Sequence, residues 1–128
     1  MAYIIDLKTH IDVRGELTPV DGVLPFDIKR FYYVNNVSDD ANRGGHAHYR
    51  TIEALFCVNG SFNVTINDGK KRTEYLLDTP SKCLIIEPLE WHLIHNFGPG
   101  TVLMGVTSTN YDHTDYILKE PEIANDTL

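Results

Sequence analysis

Two histidines one residue apart, His46 and His48, directly follow Arg43, Gly44 and Gly45, and they are the side chains of this sequence best suited to chemistry. Along an extended strand, side chains alternate between faces, so His46 and His48 share one face while Ala47 takes the other. Two imidazoles then line one cavity. An unperturbed imidazole titrates near ~6.5 and its neutral form also ligates divalent metals, so the pair can serve as general acid and base or as half of a metal shell.

The elements that must hold such a pair are strands. Most of the chain consists of short β-prone runs separated by turn signals, the pattern of a sandwich or barrel, and helices are scarce. Strands are predicted over residues 3–7, 29–37, around His46, and over 52–58, 61–67, 72–77, 83–87, 92–97 and 101–107. The dipeptides Asn59-Gly60 and Asp68-Gly69 supply the positive φ of tight turns, which predicts two hairpins in series, a meander. Pro80, Pro88 and Pro99 mark loops, because proline cannot donate to a ladder inside a sheet. One domain over residues 1–128 is expected, its tail from about residue 117 holding a short helix or no regular structure.

Composition narrows the function classes. The formal net charge of −7 repels a phosphate backbone, so no nucleic-acid partner is expected, although a local arginine cluster can still hold one anionic ligand. Cys57 and Cys83 lie in apolar runs without the spacing of a disulfide framework or a metal knuckle, and they read as reduced core thiols of a cytoplasmic protein. No apolar run approaches the length of a membrane span and no signal-peptide pattern opens the sequence, so no membrane association is expected.

The region after the glycine pair resembles the first motif of the cupins, in which two histidines, a glutamate and a glycine recur at fixed spacing. His46, His48, Glu53 and Gly60 hold that spacing. His92 and Asn96 match the second motif more loosely, since Glu90 stands near the usual glycine. The resemblance implies an all-β cupin, a double-stranded β-helix or jelly-roll barrel, in which a later strand returns His92 to the first motif's cavity. His46, His48, Glu53 and His92 would then form a shell of three imidazoles and one carboxylate suited to zinc, iron, nickel or manganese. Spacing alone favours that metal.

Several further stretches, in order, resemble the dTDP-sugar 3,4-ketoisomerases, the WxcM-like cupins that act on dTDP-4-keto-6-deoxyglucose. They run from Asp12, Arg14, Gly15 and Leu17, through Leu24 to Phe26, Arg30, Tyr32 and Tyr33, then the Arg43 to His48 segment and Cys57 to Phe62. Glu87, Pro88, Trp91 and His92 follow, and then Ser108, Tyr111, Asp112, Asp115 and Tyr116. The related 3,5-epimerases share the elements that fall here on Asp12, Arg14 and Gly15 and on Arg43, Gly44 and His46. Both families use their histidines without a metal, so the resemblance implies no cofactor and makes His46 and His48 the acid–base pair. The chain departs from the family in two respects: Tyr49 and Arg50 follow the histidines where a basic residue is usual, and Glu53 stands where glutamine is frequent.

For a 4-keto sugar, the hydrogen at C3 lies α to the carbonyl. Its removal gives an enediol(ate), and a proton returned to C4 completes the isomerisation, with one imidazole as base and the other delivering or shuttling protons. Tyr33 and the imidazolium are candidate donors to the developing oxyanion. Arg14, Arg30 and Arg43 are candidates for the pyrophosphate, and Trp91 or one of Tyr32, Tyr33 and Tyr111 for stacking on thymine, with His92 completing the substrate-binding set. The resemblance also implies a homodimer, in which residues 3–7 and Arg14 reach a partner. A 3,5-epimerase, and a metal-binding or sugar-sensing cupin without turnover, are the alternatives.

Overall fold

Apolar residues recur on alternate positions through most of the chain, and a computed structural model describing residues 1–38 and 40–123 shows where those stripes go. The strands are β1 (Tyr3–Asp6), β2 (His10–Asp12), β3 (Gly15–Leu17), β4 (Arg30–Val34), β5 (Arg43–His48) and β6 (Glu53–Asn59). They continue as β7 (Phe62–Asn67), β8 (Arg72–Leu77), β9 (Lys82–Ile86), β10 (Trp91–His95), β11 (Val102–Thr107) and β12 (Tyr116–Ile117). One five-stranded sheet has the order β1-β9-β6-β11-β4 and the other β12-β5-β10-β7-β8, with β2 and β3 a separate hairpin. Every pairing is antiparallel. This is the all-β cupin arrangement expected from the motifs. Among the described residues, no helix is long and apolar enough to cross a membrane.

The inner faces of the two sheets make the main core, where Leu55 and Leu84 from one sheet meet Phe62, Val64 and Ile94 from the other. Burying a side chain such as Phe62 is worth about 1.5–3 kcal/mol. A second cluster, with Ala54, Phe56, Cys83, Ile85 and Val106, packs the outer face of the first sheet against Val20, Leu24 and Phe26 from the segment before β4. Strand β6 is therefore buried on both faces, which explains its unbroken apolar run, as in fully covered strands.

Four local features bear on the expectations. First, Asn59-Gly60 turns the chain but does not close a hairpin, because β6 belongs to one sheet and β7 to the other. The turn is held from outside: Asn59 Nδ2 donates to the Gly100 carbonyl, and a Cβ on Gly60 would overlap Thr101. Of the two dipeptides only Asp68-Gly69 closes a hairpin, β7 to β8, so the described residues do not form the expected meander. Second, residues 3–7 supply the expected strand, β1, which lies along β9 at a sheet edge with Tyr3 opposite Ile85. Third, the β2–β3 hairpin carrying Asp12, Arg14 and Gly15 was not expected as strand; its short strands are exposed throughout and give no alternating apolar signal. Fourth, the start of the tail is ordered: a 3-10 turn at His113–Asp115 leads into β12, which adds to β5. Residues 118–123 hold no helix, and 124–128 lie outside the described residues.

Candidate active site

The cavity opens between the two sheets at the inner face of β5 and β10. His46 and His48 stand on the same face with ring centroids 4.8 Å apart. His46 is also opposite His92 in the β5–β10 register, and those rings are 4.8 Å apart and close to perpendicular. Between His92 and Leu93 the register slips by one residue, so β5 carries a bulge at its two glycines, both with positive φ. Gly44 needs to be glycine for a second reason: a Cβ there would sit 2.9 Å from the His92 carbonyl oxygen. The bulge breaks the alternation and brings Arg43 to the same cavity as His46, although the two are three residues apart.

The first sheet supplies the opposite wall. Strand β4 alternates, so Arg30 and Tyr32 face the cavity while Phe31 and Tyr33 face outward. Tyr33 therefore reaches only the rim, with its side chain 65% exposed. Tyr32 occupies the place facing the histidines, and its hydroxyl donates to Glu53 Oε2 at 2.5 Å. Glu53, on β6, turns its other oxygen to His92 Nε2 at 3.3 Å. The Arg30 guanidinium lies over the rings of Tyr32 and Tyr111, 4.9 and 5.2 Å from their centroids. Together these groups enclose about 280 Å³.

A residue that sequence patterning missed closes the end. Tyr116, on β12, sits opposite His48, and its ring lies 4.5 Å from that of His46 and 4.7 Å from that of His48. The preceding Asp115 holds it in place: its buried carboxylate accepts from the Arg50 amide at 2.9 Å and from Thr51 Oγ1 at 2.5 Å. The only signal in the sequence is the order Asp115-Tyr116 itself, because a two-residue strand has no period to detect.

Two expected site residues lie elsewhere. Arg14 is on the β2–β3 hairpin, exposed and paired with Asp12, and it does not line the cavity. Trp91 faces away from His92 on β10 and is opposite Asn67, whose side chain bonds to Glu120 and to the Pro121 carbonyl. The tail thus packs over that outer face, and the indole is buried there rather than offered to a base. Asn96 is also outside the cavity, bonded to Asn63.

Electrostatics separates the roles of these groups. Burial pushes the His46 ring down to about 4, helped by the neighbouring His92 and His48, so it is neutral at physiological pH. His48 is lowered as well, chiefly by burial. Burial alone would raise Glu53, yet the hydrogen bond and charge of His92, with the Tyr32 hydroxyl, bring its carboxyl down to about 2. Burial, and then Glu53, raise the Tyr32 phenol, so Tyr32 remains a donor.

A metal shell can be tested on this geometry. Ligand nitrogens of His46, His48 and His92 do come within 4.8 Å of one another. His92 Nδ1 faces the Glu90 carbonyl at 3.1 Å, the usual outer partner of a histidine that ligates through Nε2, and Nε2 lies 3.3 Å from Glu53 Oε1, so these donors fit a divalent ion as well as they fit a hydrogen-bonded pair.

A cupin barrel with a histidine pair on one strand, beside a cavity lined by two arginines, defines the class. The chain belongs to the FdtA family, described as WxcM-like, C-terminal, whose model matches residues 1–126. It is 40% identical over 116 residues to the TDP-4-oxo-6-deoxy-α-D-glucose-3,4-oxoisomerase of Aneurinibacillus thermoaerophilus, covering 89% of this chain and 84% of that one. It superposes on the sugar 3,4-ketoisomerase QdtA of Thermoanaerobacterium thermosaccharolyticum, solved in complex with TDP, with a TM-score of 0.89 and 38% identity, covering 92% of this chain and 88% of that one. The TDP-fucose-3,4-ketoisomerase WlaRA of Campylobacter jejuni matches with a TM-score of 0.87 and 31% identity, over 92% of this chain and 89% of that one.

Proposed function

We propose that this protein is a TDP-sugar 3,4-ketoisomerase that converts TDP-4-keto-6-deoxyglucose to a TDP-3-keto-6-deoxyhexose without a metal or other cofactor. The observation that carries this reading is the pair of imidazoles, His46 and His48, both packed against the Tyr116 ring, with His46 and Tyr116 lining the cavity that Arg30 and Arg43 also line. One imidazole takes the C3 proton, giving an enediolate shared by C3 and C4; a proton is returned to C4 and the C3 hydroxyl proton passes to the C4 oxygen, so the carbonyl moves to C3. A neutral buried imidazole is the form able to accept that proton. The imidazolium it becomes, and donors on the cavity wall, stabilise charge on the oxygens. Arg30 and Arg43 suit the pyrophosphate, because guanidinium forks pair with phosphate oxygens.

We also propose a cytoplasmic homodimer. Cys57 and Cys83 are free and buried, as suits a reducing compartment. Ile11, Val13 and Leu17 expose apolar side chains on the β2–β3 hairpin, and Phe31 and Tyr33 do so on β4. An apolar groove of about 490 Å³, lined partly by Ile11, Phe56, Val58 and Met104, lies beside that hairpin. A second copy covering these faces would remove the exposed patch and give Arg14 a role in the partner's site.

Incubation with TDP-4-keto-6-deoxyglucose in deuterated water, followed by product NMR, tests the function. The expected result is a 3-keto product from the intact protein, with conversion lost in His46→Asn and His48→Asn while TDP still binds. A product changed only in configuration at C3 or C5 would show an epimerase instead. Light scattering of the purified protein tests the dimer, and a monomer at micromolar concentration would overturn it.

A further inference from the structure

The inward positions of the cavity strands change character along their length. On β4 they run Arg30, Tyr32, Val34, and on β10 they run His92, Ile94. On β11, Gly105 lies opposite Tyr32 and Leu103 lies opposite Val34. One step of two residues, about 6.4–6.8 Å along a strand, therefore leads from the histidines to an end of the cavity lined by Val34, Ile94 and Leu103. Leu103 and Ile94 are 1% and 5% exposed, and Val34 packs against the same core. Leu103 and Ile94 also sit on strands paired on both sides, β11 between β6 and β4 and β10 between β5 and β7, so the ladders take their backbone groups. Arg43, opposite Ile94 in the register, is the charged side chain at this end, and it is exposed.

Such an end suits an alkyl group, because a hydroxyl buried there gives up its bonds to water and gains none from protein. In a 4-keto-6-deoxy sugar the reacting edge, C3–C4, has unlike flanks. C5, beyond C4, carries a methyl group, and C2, beyond C3, carries a hydroxyl. The opposite end of the cavity holds Arg30 and Tyr116, so the wall is polar there. A sugar laid with C3 and C4 at His46 puts its methyl group at the apolar end in one orientation and its C2 hydroxyl there in the other. Only the first leaves no polar group buried without a partner.

We propose that Val34, Ile94 and Leu103 form a methyl subsite that selects 6-deoxy over 6-hydroxy nucleotide sugars and fixes which way round the C3–C4 edge lies. This subsite rests on the reading of the cavity as a TDP-sugar site. A hydroxyl added at C6 enters the apolar end with no donor or acceptor to meet it, and a pocket of this kind discriminates by about 10–100-fold. The same three side chains set the orientation in which C3, rather than C5, comes to the histidines.

The test uses TDP-6-deoxyglucose and TDP-glucose, which differ only by the hydroxyl on C6 and, lacking a ketone, are not turned over. Isothermal titration calorimetry of the full-length protein should show the 6-deoxy sugar bound about 10–100-fold more tightly. Equal affinities, as when Arg43 reaches the 6-hydroxyl, would overturn the subsite. In Val34→Thr, which adds a hydroxyl at nearly constant shape, the ratio should narrow several-fold while the affinity for TDP alone stays unchanged. An unchanged ratio there would overturn the assignment of Val34. In protein labelled at valine, isoleucine, leucine and tyrosine, NOEs are expected from the C6 methyl group of bound TDP-6-deoxyglucose to Val34, Ile94 and Leu103. NOEs to the Tyr116 ring in their place would overturn the orientation, whether or not Val34→Thr folds. Neither readout needs turnover, so the preference and these NOEs in a protein without ketoisomerase activity would sink the proposed reaction alone. Ketoisomerase activity with equal affinities would sink this inference alone.

Discussion

Gly105 offers a way to disturb the cavity without touching a group that reacts. It lies on β11 directly opposite Tyr32, and a Cβ built on it would overlap the Cζ, Cε1 and hydroxyl oxygen of that ring. Its φ is not in the left-handed region, so alanine fits the backbone and any cost of Gly105→Ala comes from the ring. Displacing a packed side chain costs about 1–3 kcal/mol. Moving Tyr32 also breaks its hydrogen bond to the buried Glu53 carboxylate, a charged bond worth roughly 1.5–3 kcal/mol. Partial relaxation of the strands favours the lower part of the sum, about 3 kcal/mol, or roughly a 10 °C fall in Tm. Urea unfolding followed by the fluorescence of Trp91, the single tryptophan and a buried one, measures this directly. In a Tyr32→Ala background the same Gly105→Ala change has room, and should cost less than about 0.5 kcal/mol, giving a coupling energy of roughly 2 kcal/mol or more. Equal costs in the two backgrounds would refute the claim that this glycine exists to seat the Tyr32 ring.

Asp115→Ala removes a carboxylate that is 2% exposed, leaves the Arg50 amide unpaired and leaves the Thr51 hydroxyl with Thr109 as its partner, so a loss of about 1–3 kcal/mol is expected in chemical denaturation. Its kcat should fall as well, because β12 no longer holds Tyr116 against both histidines. The folded value of His46 lies below the ordinary 6.5, at about 4, mainly through burial and then through His92 and His48. The unfolded chain therefore takes up that proton first: stability from keeping the ring neutral is complete above pH 6.5 and is lost as pH falls towards 4. If His46 is the base, kcat/KM falls with an acidic limb near 4, and a limb centred on 6.5 in protein still folded by circular dichroism would contradict it. Burial pushes both thiols up to about 11, with Asp78 adding to the effect at Cys57. A disulfide reagent at pH 8 should therefore modify neither cysteine in native protein and both in urea, and rapid native labelling would show that the core opens.

What the sequence made legible was whatever a local pattern encodes. The i, i+2 spacing put His46 and His48 on one face, and the adjacent glycines marked the bulge that brings Arg43 round to them. Alternation in β4 divided Arg30 and Tyr32 from Phe31 and Tyr33 but could not say which pair faced inward. That choice depends on Gly105, more than seventy residues away, which leaves space for a ring on the inner face. The same limit explains the missing meander, since Asn59-Gly60 encodes a change of direction and only the contacts of Gly60 with Thr101 decide that the next strand enters the other sheet.

Glu53 shows why spacing alone favoured a different chemistry. A carboxylate at that distance from two histidines is a fourth ligand in a motif and a counter-ion in a cavity, and the residue type is the same for both. In this chain it accepts from the Tyr32 hydroxyl on one oxygen and faces His92 with the other, and the Glu90 carbonyl orients that ring from its far side. That carbonyl belongs to the loop between β9 and β10, where Leu89 takes a positive φ and its amide donates to the His48 carbonyl at 2.7 Å. The Glu90 side chain fixes the same loop through the Ala2 and Glu87 amides. The orientation of the most buried histidine thus depends on how a surface turn is tied to the N-terminus, a dependence carried by no single motif.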